Sequence, residues 1–310
     1  MSDTKENTSV SSEKKISVEE EVNSLRIKYL TADIIWKSVS IVVFVATVTY
    51  IVLVFKKLLD FELFVSSIII LVLLSAIFVC IYLLPHFLKM NSKHRAYSTK
   101  YKEAFLKPVL EEAFSKGEYT DYEKISTRDL TRNSMLKKAK SAIANDCVRG
   151  VYKKIPFLRY DLALRYGKKK AGSDCVMIVA QIKTRLKHEV QIIGNDFKIG
   201  GMDYEQPETY CKILSSHEKF DSKFSVYAKD QDDGQKFLKE SIAAKIVKFK
   251  PGGPIALFFD KDEVSLIVRK NKDAMEAPVY RNVKKSKALK EANEEVELIK
   301  EWIEILEDCL

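Results

Sequence analysis

Residues Ser38–Phe55 read SVSIVVFVATVTYIVLVF, and Leu63–Leu84 read LFVSSIIILVLLSAIFVCIYLL. Neither run contains Asp, Glu, Lys or Arg. At about 1.5 Å per residue, helices of these lengths extend ~27 and ~33 Å, which matches a hydrocarbon core of about 30 Å. Lys56, Lys57, Asp60 and Glu62 lie between them and mark an aqueous turn. The pattern predicts a transmembrane α-hairpin over residues 38–90, with span ends at Ser38, Phe55, Leu63 and Leu84. The mixed, polar segment ahead of Ser38 and the lack of a small-residue cleavage site after Phe55 exclude a cleaved signal peptide.

The flanks orient the hairpin. Arg26, Lys28 and Lys37 precede the first span, and Lys89, Lys93, Arg95, Lys100 and Lys102 follow the second. The turn holds only Lys56 and Lys57, so both termini are expected in the cytoplasm. Trp36, Tyr50 and Tyr82 suit interfacial anchoring. The spans carry hydroxyls (Ser40, Thr47, Thr49, Ser66, Ser67, Ser75) but no ionisable group, which favours an anchor over an ion path. A homo-oligomeric pore is the alternative.

Working outward, residues 1–16 read as a disordered N-terminus and 17–37 as a pre-membrane helix opened by a Ser17–Glu20 capping box. Residues 91–145 read as a juxtamembrane helical segment: a helix over 91–114 kinked or restarted at Pro108, connecting chain from Gly117 to Leu130, and a helix near 134–144. A basic helix leaving the bilayer can attract anionic headgroups at about 1 kcal/mol per Lys or Arg, and a solvated connecting helix fits the same pattern equally.

From Val148 the hydrophobic period changes to two. Strands are predicted at 151–157, 158–166, 175–183 and 189–194, with an exposed lysine loop at 167–172, and again at 220–228. A helix over 231–248 ends at Pro251–Gly252–Gly253–Pro254, and 255–259 pairs with 264–268 as a hairpin. Residues 146–285 therefore form an α+β cytoplasmic domain with a mainly antiparallel sheet and flanking helices. In the C-terminal amphipathic helix, 286–310, Leu289, Ala292, Val296, Ile299, Ile303, Leu306 and Leu310 make a heptad seam. Two uses fit that seam: docking on the helix's own sheet, or association with a second copy or a protein partner, for which Leu289, Val296, Ile299, Ile303 and Leu306 are the candidate contacts.

Charge is divided unevenly. Residues 1–90 hold nine basic and nine acidic side chains, so the net +9 belongs to the remainder. Clusters at Arg132–Lys140, Lys153–Lys154, Lys168–Lys170 and Arg281–Lys287 suit an anionic leaflet. Nucleic acid is disfavoured, because no recognition motif or stacking aromatics accompany the lysines. The five cysteines show no CxxC spacing, which points to thiols in a reducing compartment. His86, His94, His188 and His217 lack metal-ligand spacing, and no GxSxG, Walker loop or GxGxxG occurs. The acids of Asp230–Gly234 miss the EF-hand spacing and instead suit a helix N-terminus. Catalytic, cofactor and metal residues are not indicated. A membrane-tethered hydrolase or nuclease-like effector is the enzyme alternative to a binding or scaffolding domain.

Several segments carry a family likeness: Tyr101–Phe105 with Pro108 and Tyr119; Arg149–Gly150–Val151 through Ile155–Pro156–Phe157; His217–Tyr227 with Asp230–Gln231; and Ile255–Val268 with Val296–Leu306. In these the chain resembles an uncharacterised bacterial two-span membrane family, domain of unknown function 3137. It departs from that pattern at Asn145–Val148 and Cys175–Ile178. The resemblance implies a bacterial inner-membrane, multi-pass protein with a cytoplasmic domain, and adds no reaction.

Overall fold

The computed structural model describes residues 3–57, 84–123, 141–165, 173–184, 186–199, 202–203, 206–215, 217–238, 240–270 and 275–307. The second apolar run falls almost wholly outside these, as do the lysine loop at 167–172 and most of the helix expected near 134–144. The chain divides into two compact units: residues 1–104 with 277–285, and residues 105–276 with 286–310.

In the first unit, α1 (Asp3–Lys57) is one helix of 55 residues. It begins further toward the N-terminus than the Ser17 capping box suggests, and no Gly or Pro interrupts it. Within it, Val18–Thr49 includes a window long and apolar enough to cross a membrane, and none of that window is buried. Ile34, Ile41, Val42 and Phe44 are all more than half exposed. α1 packs against α2 (Leu84–Tyr101).

α2 runs into a π-turn at Lys102–Leu106 before α3 (Lys107–Glu112). Pro108 sits in the first turn of α3. Having no N–H and a ring that crowds the carbonyl four residues back, it resolves the expected kink into a widened turn followed by a new helix.

The second unit is α+β. Its strands are β1 (Ser115–Glu123), β2 (Ser141–Tyr152), β3 (Ile155–Arg165), β4 (Ser173–Gln181), β5 (Val190–Gly194), β6 (Lys198–Ile199), β7 (Met202–Asp203), β8 (Cys211–Ile213), β9 (Phe224–Ala228), β10 (Ile255–Phe259) and β11 (Glu263–Arg269). Nine of them form an antiparallel sheet in the order β1-β2-β3-β4-β11-β10-β5-β9-β8, and β6 pairs with β7. The helices are α4 (Glu218–Asp221), α5 (Gln231–Phe237), α6 (Glu240–Lys248) and α7 (Lys285–Glu307).

Five local expectations change. The strand expected at 151–157 is cut by the turn at Lys153–Lys154, and the start of the one expected at 220–228 is helix α4. Residues 115–123, read as connecting chain, form edge strand β1, and 141–144, read as the end of a helix, open β2. Cross-strand pairing along the whole of β2 overrides the local helix propensity of Ser141–Ala144. The helix over 231–248 is two helices, interrupted after Phe237.

Both faces of the central strands are buried. One carries Leu162, Cys175, Met177, Ile267, Ala256, Phe258 and Ile193, with Phe197 against them. The other carries Val176, Ile178, Leu266, Leu257 and Phe259, and α7 packs there through Trp302, whose ring lies 6.4 Å from Phe259 and 6.0 Å from Phe249.

Candidate functional site

Strand β3 alternates Phe157, Arg159 and Asp161 onto the face covered by α7. Arg159 has no solvent exposure. A buried guanidinium costs several kcal/mol unless its charge is matched and its donors are used. Its Nη1 donates to Asp161 Oδ2 at 3.0 Å and to the Asp146 carbonyl at 2.9 Å. Its Nη2 donates to Asp161 Oδ1 at 3.0 Å and to Glu295 Oε2 at 2.8 Å. The Asp161 fork is the bidentate geometry that suits Arg and not Lys.

The remaining members extend this centre. Lys270 donates to the second oxygen of Glu295. Asp146 sits at a β-bulge in β2, with φ +50° and full burial. The Tyr119 hydroxyl, from β1, donates to its carboxylate. Three strands and the terminal helix thus meet at one set of charges.

Environment shifts the titration of three of these groups. Burial opposes ionisation of Glu295, but Arg159 and then Lys270 outweigh it and hold the carboxyl below the ordinary glutamate range. Burial likewise works against the Arg159 cation, and Asp161 and Glu295 more than offset it, so its pKa is raised. Burial and the adjacent Asp146 push the Tyr119 phenol upward, keeping it neutral. Such a cluster holds charge in place. It pins α7 to β3 and to the bulge, a positioning task.

The second unit carries two surface depressions, of which the first adjoins this region. One, about 810 Å³, lies along α7 and includes Lys250, Lys270, Leu289, Lys290 and Glu295. The other, about 450 Å³, lies on the opposite sheet face over Leu158, Tyr160, Met177 and Val179, with Arg149 and Glu263 among its lining residues. Among the described residues, no group of three or more His, Cys, Asp or Glu is placed to hold a metal ion.

The residues singled out from sequence fall as follows. Ser38 is exposed on α1, Phe55 lies in α1, Leu84 opens α2 and Leu63 lies outside the described residues. Of the heptad seam, Val296, Ile299, Ile303 and Leu306 are buried within the second unit and Leu289 is half-buried. These described seam residues pack inside their own domain, and Leu310 lies outside the described residues.

Asp230 caps α5 by accepting from the Asp233 N–H at 2.9 Å, and His217 caps α4 by accepting from the Phe220 N–H at 3.2 Å. Sequence reasoning missed Arg159, Asp161, Lys270 and Glu295. For Arg159 and Asp161 the signal was an opposite-charge pair two residues apart on one strand face, between apolar neighbours; Lys270 and Glu295 carried no local signal.

Residues 175–308 match the model of a family described as "Protein of unknown function (DUF3137)". The likeness drawn from sequence is thereby found over the C-terminal part of the chain. No curated protein matches the chain. Among solved structures, the mycobacterial trehalose monomycolate transport factor A is similar at 10% identity and a TM-score of 0.34, over 60% of this chain and 88% of that one.

Proposed function

We propose that the protein is a bacterial inner-membrane protein, anchored by its apolar hairpin with both termini inside, that presents its α+β domain in the cytoplasm as a binding or scaffolding module. The observation that carries this reading is α1: a window long and apolar enough to cross a membrane, none of it buried. Apolar surface on that scale is normally covered by lipid or a partner. The basic residues flanking the spans support the inward orientation. The bilayer and its anionic headgroups are the first partners on this reading, and a protein partner of the domain is the second.

The domain reading rests on how the charges are held. The Arg159 centre joins four elements and favours the ionised form of Glu295, which suits a rigid platform. Alkaline carbonate washing of membranes from expressing cells tests the anchor. The protein is expected in the pellet, and release into the supernatant would refute anchoring. Trypsin supplied to inside-out vesicles is expected to digest the domain, while intact spheroplasts protect it. The reverse pattern would overturn the orientation.

A further inference from the structure

Residues 277–285 lie between β11 and α7 in sequence, yet they pack with the helix pair of the first unit. The side chain of Asn23, on α1, grips Val283 from both sides: Nδ2 donates to its carbonyl at 3.3 Å and Oδ1 accepts from its N–H at 3.1 Å. One turn on, Arg26 donates to the Val279 carbonyl at 3.4 Å and to Asn282 Oδ1 at 2.5 Å. From α2, the Tyr97 hydroxyl donates to the Pro278 carbonyl at 2.7 Å.

These are not casual surface contacts. Arg26 is 6% exposed, Tyr97 and Val22 are fully buried, and Val283 is 1% exposed. Connecting segments ordinarily satisfy their backbone with water. Here side chains from both helices do so, so the path of the segment depends on how α1 packs against α2. At Lys285 the chain passes directly into α7, and ten residues later Glu295 engages Arg159. A helix is stiff along its axis, so a shift at its first turn is carried toward that contact.

We propose that residues 277–285 are a relay strap that passes changes in the packing of α1 against α2 to α7, and through Glu295 to the Arg159 centre. On the membrane reading given above, the binding domain thereby senses the state of its own anchor. Coupling of this kind is reciprocal: loosening α7 must also loosen the strap.

Hydrogen exchange read by mass spectrometry on the full-length protein in lipid nanodiscs tests both directions. Tyr97→Phe and, separately, Asn23→Ala remove strap bonds without adding bulk. Tyr97→Phe is expected to speed amide exchange in 277–285 by about fivefold, the change in opening equilibrium for one lost hydrogen bond, and Asn23→Ala, which removes two, by more. The acceleration should continue into 289–298 while β4 and β10 stay unchanged. In the other direction, Glu295→Gln should speed exchange in the strap.

Acceleration that stops at Lys285, or a strap that does not respond to Glu295→Gln, would overturn the relay. Tyr97→Phe removes a single oxygen, so it keeps the test available if Asn23→Ala fails to fold. The anchor is judged separately by carbonate extraction, so failure of one reading is distinguishable from failure of the other.

Discussion

Arg159 shows how one side chain can set the terms for a domain. Replacing it with Met leaves Asp161 and Glu295 facing each other without their shared cation, and uncompensated buried charge typically costs about 3–5 kcal/mol. Arg159→Met should therefore lower the unfolding free energy of the second unit, read from urea denaturation, by that amount, whereas a neutral result would mean water reaches the site. The pH dependence follows from Glu295, whose folded pKa is lowered by Arg159 and Lys270 against the effect of burial. Its contribution is fully present above the ordinary glutamate range and is lost as pH falls through the lowered folded value. Stability should drop on acidification through that window, and Glu295→Gln should flatten the acid limb measured by thermal melts. Gly252 is a plainer case: at φ +82° with open space around the site of a Cβ, it is needed for its backbone alone. Gly252→Ala should cost about 1 kcal/mol.

Elements show what a linear reading can and cannot reach. The 255–268 hairpin, the Asp230 cap and the apolar stripe of α7 were legible because each is local: alternation, a capping residue before a helix, and a 3–4 spacing. Two features were not. Edge strand β1, SKGEYTDYE, carries little hydrophobic alternation and is made a strand by pairing with β2. The role of Glu295 was hidden because a Glu on a helix reads as solvated until its partner 136 residues earlier is known. The β2–β3 turn adds a third kind of surprise. Lys153 and Lys154 both have positive φ, the conformation of a type I′ turn that favours Asn-Gly. Lys153 reaches Glu307 at 2.8 Å and Glu304 at 3.5 Å, which recovers part of that cost, while Lys154 is exposed. Lys154→Gly should stabilise the domain by about 0.5–1 kcal/mol in chemical denaturation, without altering its strand pairing. On α7, Trp302→Ala should cost about 3–5 kcal/mol, because a fully buried indole between Phe249 and Phe259 leaves a cavity.

For the molecule as a whole, the order of the sheet differs from the order of the chain. β1 to β4 form a meander and β5, β9 and β8 a second group, while β10 and β11, which join them at the centre, come later in sequence than both. On the ribosome this has a temporal consequence. Chain emerges at about 5–20 residues per second, so Arg159 waits roughly 7–27 s for Glu295, 136 residues behind it. Throughout that interval the meander has a long unpaired flank at β4 and a cation with half its counter-charge. Nascent chains arrested before residue 255 should stay sensitive to protease across the second unit, and resistance should appear only once α7 has cleared the tunnel. Within this domain the keystone is delivered late, and until it arrives the open flank at β4 is the edge that chaperones are expected to cover.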